Sequence, residues 1–128
     1  MSEGEIPLKI ELLGVGSLKG LMLRYLGPIS ADAILDKMPF VLRGRFGFGT
    51  KDYWTLMSVG IRKGPDSKAT KDVENGDILY NPKSDEIIIV LKNMEMPNKM
   101  NRIGKITQNL EILKEARNGL NCKFSKKK

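Results

Sequence analysis

The 128-residue chain contains no histidine. That removes the side chain most often used as a general base at neutral pH, every Ser-His-Asp or Cys-His arrangement, and every histidine-containing metal site. The single cysteine, Cys122, has no second thiol for an internal disulfide or a thiolate cluster, so a cytoplasmic address is expected. No apolar run approaches the roughly 20 residues of a bilayer-spanning helix. The start, Met1-Ser2-Glu3-Gly4-Glu5, is acidic, so neither membrane insertion nor secretion is expected. What survives is catalysis by positioning and polarisation, chemistry using Lys, Tyr or carboxylates, or plain binding. No cofactor or metal is implied.

Hydrophobic residues make up 41% of the chain and charged residues 29%, a balance that suits a globular fold and not a disordered one. The length fits a single domain, residues 1–128, with its core between about residues 7 and 125 and a basic tail at 126–128. Twenty-two Lys and Arg against fifteen Asp and Glu give a formal charge of +7, which permits an anionic partner without demanding one.

Leu8-Lys9-Ile10-Glu11-Leu12 alternates with the period of a half-buried strand, and Gly14-Val15-Gly16-Ser17 turns the chain into a returning strand, Leu18 to Leu26. After Gly27-Pro28, Ser30 is expected to cap a short helix in which Ala31, Ile34, Leu35 and Met38 share one face and which Pro39 stops. Phe40 to Phe46 and Tyr53 to Val59 read as two strands. Residues 62–74 are polar and charged and read as a mobile, solvated loop. Asp77 to Asn81 and Ile87 to Leu91 follow as strands, the second too continuously apolar to be anything but central. Met94 to Asn101 reads as irregular, Arg102 to Thr107 as a strand, and Asn109 as the cap of a second helix, Leu110 to Asn118, with Gly119 after it. Leu120 to Ser125 alternates as the last strand. Seven or eight short strands with two short helices predict a mainly β antiparallel barrel or sandwich.

In order and spacing these segments resemble a cyclophilin. Leu8 to Leu12, then Gly27-Pro28 and the helix Ser30 to Met38, are similar to that fold's opening strand, proline and Pro-x-Thr-x-x-x-Phe helix. Gly76 to Asn81 and Ser84 to Ile89 stand where cyclophilins carry a Ser-Gln-Phe-Phe-Ile strand, and Ile103-Gly104-Lys105-Ile106 is similar to their Phe-Gly-Lys-Val. The nearer resemblance is to small bacterial and archaeal cyclophilin-like proteins, where Gly-Asp-Ile-x-Tyr-x-Pro and Asn-x-Ile-Gly recur much as Gly76 to Pro82 and Asn101 to Gly104 do here. The resemblance runs from Leu8 to Phe124. It implies a closed barrel of about eight strands, two short capping helices and a shallow cleft on the outer face. Prolyl isomerases of this fold use a Phe-His-Arg segment followed by Phe-Met-x-Gln. Residues 40–59 here contain neither histidine nor glutamine, and Asp85-Glu86 stand near the position of the glutamine in Ser-Gln-Phe-Phe.

Arg43 and Arg45 flank Gly44 beside Phe46, Phe48, Tyr53 and Trp54, a grouping suited to a cleft where a guanidinium meets a carbonyl, carboxylate or phosphate along an apolar wall. Tyr53 and Trp54 are adjacent on one strand, so they face opposite ways and at least one belongs to the core. Tyr80, Asn101 and Arg102 are the other polar candidates. The expected ligand-binding set is Arg45, Tyr53, Trp54, Tyr80 and Arg102, with Arg43 or Arg45 as the polarising group should any isomerase activity survive. The expected partner is a peptide or a small anionic molecule. Gly14-Val15-Gly16 and Gly47-Phe48-Gly49-Thr50-Lys51 fit no phosphate-binding motif and read as turns. Met94, Met96 and Met100 around Pro97 read as packing, with an adaptable binding lip as the alternative. Lys123, Lys126, Lys127 and Lys128, with Lys63, Lys68 and Lys71, leave a nucleic-acid-binding barrel as a rival that solvated lysines outweigh.

Overall fold

The alternation at the start of the chain becomes a long antiparallel hairpin. β1 (Glu5–Leu12) and β2 (Gly16–Leu23) pair in unbroken register from Glu5 opposite Leu23 to Leu12 opposite Gly16. This is a computed structural model, and it describes residues 4–47 and 50–127. After α1 (Pro28–Lys37) come β3 (Phe40–Phe46), β4 (Tyr53–Leu56), β5 (Thr70–Val73), β6 (Asp77–Asn81), β7 (Glu86–Val90) and β8 (Met94–Gln108). A 3-10 helix (Leu110–Glu115) then precedes β9 (Asn121–Lys126).

The strands run β2-β1-β9-β3-β4-β7-β6-β8, and β8 pairs back onto β2 to close an eight-stranded antiparallel barrel. Closure leaves these strands no free edge. β5 stands outside the ring and pairs only with the first half of β8. Alternate side chains of each strand fill the interior, including Leu8, Ile10, Leu18, Trp54, Ile78, Ile87, Ile89 and Phe124. α1 lies at the end of β2, where Asp32 takes a bidentate pair from Arg24 at 2.6 and 3.1 Å. The 3-10 helix lies at the start of β2, where Ile112 packs beside Gly16. Each opening thus receives a short helix, whose Ala31 and Ile34, or Leu113, join the core.

A second apolar cluster lies on the outside of the barrel. Leu79 of β6 and Ile88 and Val90 of β7 are covered there by Val73 of β5 and by Met96 and Met100 of β8. β7 is therefore buried on both faces, as its unbroken Ile87-Ile88-Ile89-Val90 run predicts.

Several local expectations are corrected. The helix begins one turn earlier than a Ser30 cap implies: Gly27 is the N-cap and Pro28 occupies the first turn, where its missing N–H costs nothing. Ser30 is buried, and its Oγ accepts from Asn101 Nδ2 at 2.9 Å. The second helix is a six-residue 3-10 segment, and Asn109 makes no side-chain cap there. Residues 62–74 are not simply a solvated loop. Their end forms β5, and buried side chains hold their beginning, as described below. The Met94 to Asn101 stretch is the first half of the longest strand. Its register against β5 shifts between Thr70–Met100 and Asp72–Glu95, so no period-2 pattern survives in the sequence.

Candidate functional site

β3 alternates, with Gly44 and Phe46 inward and Arg43 and Arg45 outward. Pairing then sets one row across the outer face: Arg45 of β3 stands opposite Thr55 of β4, and Thr55 opposite Ile88 of β7. Tyr53, two residues before Thr55, shares that face. Its ring lies over Gly47, where any side chain would occupy the same space. Glu86, two residues before Ile88, also faces outward and stands opposite Asn81 of β6. The first half of β8 supplies the facing wall through Met96, Pro97 and Met100. The result is an open cleft of about 450 Å³.

Its polar groups are held in place. Glu86 accepts from the Thr55 hydroxyl at 3.0 Å on one carboxylate oxygen and from the Ser84 hydroxyl at 2.5 Å on the other. Asn81 Oδ1 accepts from Asn98 Nδ2 and from the Lys83 amide, both at 3.0 Å, bracing the rim. Arg45 is exposed and has no ion pair or hydrogen bond among the described residues. The cleft thus offers an unpartnered guanidinium, a carboxylate steadied by two hydroxyls, and an apolar floor of Ile88, Met96 and Met100. Among the described residues no three acidic or thiol side chains gather as a metal site.

Of the expected ligand set, Arg45 and Tyr53 meet here. Arg43 lies one pair further along β3, opposite Asn121, and does not line the cleft. Trp54 is fully buried inside the barrel, its ring against Gly44 and edge-on to Phe46 at 4.9 Å between centroids. It is a core residue, because Tyr53 takes the outward position on the same strand. Burial also pushes the neighbouring Cys122 thiol up to about 11, the Trp54 side chain partly opposing it, so this cysteine is not a poised nucleophile.

Tyr80 is buried inside the barrel too. Its hydroxyl donates to Asp85 Oδ1 at 2.6 Å and accepts from the Lys63 amide at 3.3 Å. Burial and then that bond to Asp85 push the phenol up to about 12. Asp85 in turn accepts from the Gly60 amide at 2.7 Å and the Arg62 amide at 3.0 Å. Asn101, fully buried, accepts from the Asp66 amide at 2.7 Å and donates to Gly64 O at 3.0 Å. These side chains tie residues 60–66 to the barrel and are unavailable to a ligand. Arg102 faces outward away from the cleft, its Nε 3.5 Å from Asp77 Oδ2. Asp77 also holds the Glu74 amide at 2.9 Å, the turn-stabilising role its place after Gly76 suggests.

The sequence reasoning missed Thr55, Ser84, Asn81 and Glu86 as site residues. Alternation carried half of the signal, since Thr55 shares a face with Tyr53 and Glu86 with Ile88. Met96 and Met100 pack the outer cluster, as expected, and also line the cleft. Phe48 and Lys128 lie outside the described residues. Lys9 and Lys19 stand directly opposite one another on β1 and β2, with Lys127 beside Lys19. The loop lysines lie elsewhere, and Lys68 reaches Tyr25 O at 3.4 Å. No helix among the described residues is long and apolar enough to cross a membrane.

No protein-family model and no curated protein matches the sequence. Solved structures, by contrast, share the fold. The solution structure of the hypothetical protein AF2241 from Archaeoglobus fulgidus superposes with a TM-score of 0.78 at 19% identity, over 99% of this chain and all of that one. A cyclophilin-type peptidyl-prolyl cis-trans isomerase from Cryptosporidium parvum superposes at 0.67 with 11% identity, over 97% and 98% of the two chains. McbB, solved in complex with tryptophan, superposes at 0.78 with 9% identity over 94% of this chain, which corresponds to 44% of McbB. The fold is therefore the cyclophilin-like barrel. Identities this low speak for the fold and for nothing finer.

Proposed function

We propose that this cyclophilin-like barrel is a binding protein whose outer cleft holds a peptide or a small anionic molecule against Arg45. The observation that supports it is a guanidinium with no partner among the described residues, in a partly apolar cavity of about 450 Å³. Small-ligand sites typically enclose roughly 300–1,000 Å³ and combine apolar walls with a few fixed polar groups. A guanidinium with five N–H donors suits a carbonyl or carboxylate oxygen, and Tyr53, Ile88, Met96 and Met100 suit an apolar side chain beside it. The barrel places these groups on rigid strands, so little ordering cost attends binding.

Calorimetric titration of short peptides and of small carboxylates tests this reading. Arg45→Ala is expected to weaken binding about tenfold, the scale of a charge-assisted hydrogen bond. Arg43→Ala, outside the cleft, is expected to leave it within about twofold, on the same scale. Equal losses in the two variants, or no binding by wild type, would overturn the proposal.

The same arginine supports a second reading, weak prolyl isomerisation. An X-Pro bond turns over a barrier of ~18–20 kcal/mol, which falls when a cation weakens amide conjugation in a dry setting. Arg45 stands beside apolar side chains, which favours this; no histidine exists anywhere in the chain to accompany it. Chymotrypsin-coupled turnover of an Ala-Pro peptide decides the matter: background rates in wild type, Arg45→Ala and Arg43→Ala alike dispose of it.

A further inference from the structure

We propose that the cleft selects for a free amino group, and that its occupant is a short peptide presenting its N-terminus: Glu86 receives the ammonium while Arg45 holds a carbonyl or carboxylate oxygen further along the chain. This rests on the reading of the cleft as a binding site.

The starting point is that two opposite charges line one cleft without neutralising each other. No ion pair of 4 Å or less joins Arg45 to Glu86, and neither has another charged partner among the described residues. The sheet accounts for the separation. Arg45 is on β3 and Glu86 on β7, with β4 between them, and the Thr55 hydroxyl in the intervening row is committed to Glu86 at 3.0 Å. At about 4.8 Å per strand and about 3.3 Å per residue, the two backbone anchors stand about 12 Å apart. An extended peptide advances about 3.3–3.6 Å per residue, so about three or four residues span the full distance between anchors.

Glu86 itself is prepared for a cation. Thr55 and Ser84 each donate one hydrogen bond to one of its oxygens, which fixes the carboxylate without cancelling its charge and leaves lone pairs on both oxygens. An arriving ammonium can donate charge-assisted hydrogen bonds to those lone pairs. The same carboxylate repels a plain dicarboxylate or phosphate that Arg45 alone would welcome. A single carboxylate with two hydroxyls is too small a donor set for a structural metal ion. Ile88, Met96 and Met100 line the same cleft and suit an apolar side chain of the ligand.

The test uses the tripeptide Leu-Ala-Ala and its N-acetyl form, titrated calorimetrically at neutral pH into wild type, Glu86→Gln and Arg45→Ala. Heteronuclear NMR spectra of each variant confirm the fold; glutamine can accept from one of the two hydroxyls through Oε1 and donate to the other through Nε2. Wild type is expected to bind the free-amine peptide at least tenfold more tightly than the acetylated one. Glu86→Gln is expected to bring the two within twofold, and Arg45→Ala to weaken both. If acetylation makes no difference to wild type, or the preference survives Glu86→Gln, this inference fails, while a loss in Arg45→Ala would leave the binding reading intact. If wild type binds neither peptide, and no carboxylate either, both fail together.

Discussion

Asp85 and Glu86 are chemically alike and adjacent in the chain, yet the barrel gives them opposite roles. Asp85 is buried, at a backbone φ of +58°, and three donors converge on its carboxylate: the Tyr80 hydroxyl and the Gly60 and Arg62 amides. Its backbone carbonyl also accepts from the Val59 amide at 3.1 Å. Glu86 turns to the outer face, where among the described residues two hydroxyls and no cation reach it. The first carboxylate has spent most of its hydrogen-bonding capacity on holding residues 59–63 against the barrel. The second keeps capacity in reserve. A polar group is available to a ligand to the extent that its own fold leaves it unsatisfied, and type or position in sequence does not reveal that.

The largest effect should come from breaking the saturated member. Asp85→Ala strands a buried tyrosine hydroxyl and two amides and puts alanine at a positive φ. A loss of about 3 kcal/mol is expected in urea unfolding, from penalties of ~1–3 kcal/mol per unsatisfied group that do not add fully. Tyr80→Phe removes one donor and leaves the others, and should cost about 1–2 kcal/mol by the same measurement. A cost as small as that of a surface substitution would show that this network is not what secures the loop.

Acid should sharpen the contrast. Burial by itself would raise the Asp85 carboxyl, but the bonds from Tyr80, Arg62 and Gly60, with the Arg62 charge, outweigh it and hold the group below the usual aspartate range. A carboxyl lowered by folding contributes its stability in full above the unfolded value near 3.9, and loses it as pH falls through the folded value. Wild type should therefore lose urea resistance as pH falls below about 4. Asp85→Asn, already weaker at neutral pH, should show a flatter decline over that window. Parallel curves for the two proteins would contradict the assignment.

Glu86→Gln should have the smallest effect on stability, within about 0.5 kcal/mol, because the site is partly exposed and glutamine keeps both hydroxyl partners. Its effect belongs to ligand preference instead.

Much of the fold was legible along the chain. β1, β3 and β9 announce themselves by alternation, and β7 by its unbroken apolar run. The first half of β8 and all of β5 were illegible, because a register shift scrambles the period and because burial there comes from a ribbon folding over an outer face. Half of the site was legible for the same reason: alternation puts Arg43 with Arg45, and Tyr53 opposite to Trp54. It says nothing about which member of a pair faces out.

Local chemistry alone settled most of the strands, the turns at Gly14 and Gly76, the absence of histidine-based catalysis and the presence of arginines on one strand face, since each depends on neighbours in the chain. Only closure of β8 onto β2 and the cover that β5 and β8 lay over β7 decided the rest. They put Trp54 and Tyr80 inside, left Arg45 without an anion among the described residues, and brought Glu86 to the same hollow from 41 residues away. Those outcomes depend on contacts between distant segments, and such contacts are set by the packing of the whole barrel.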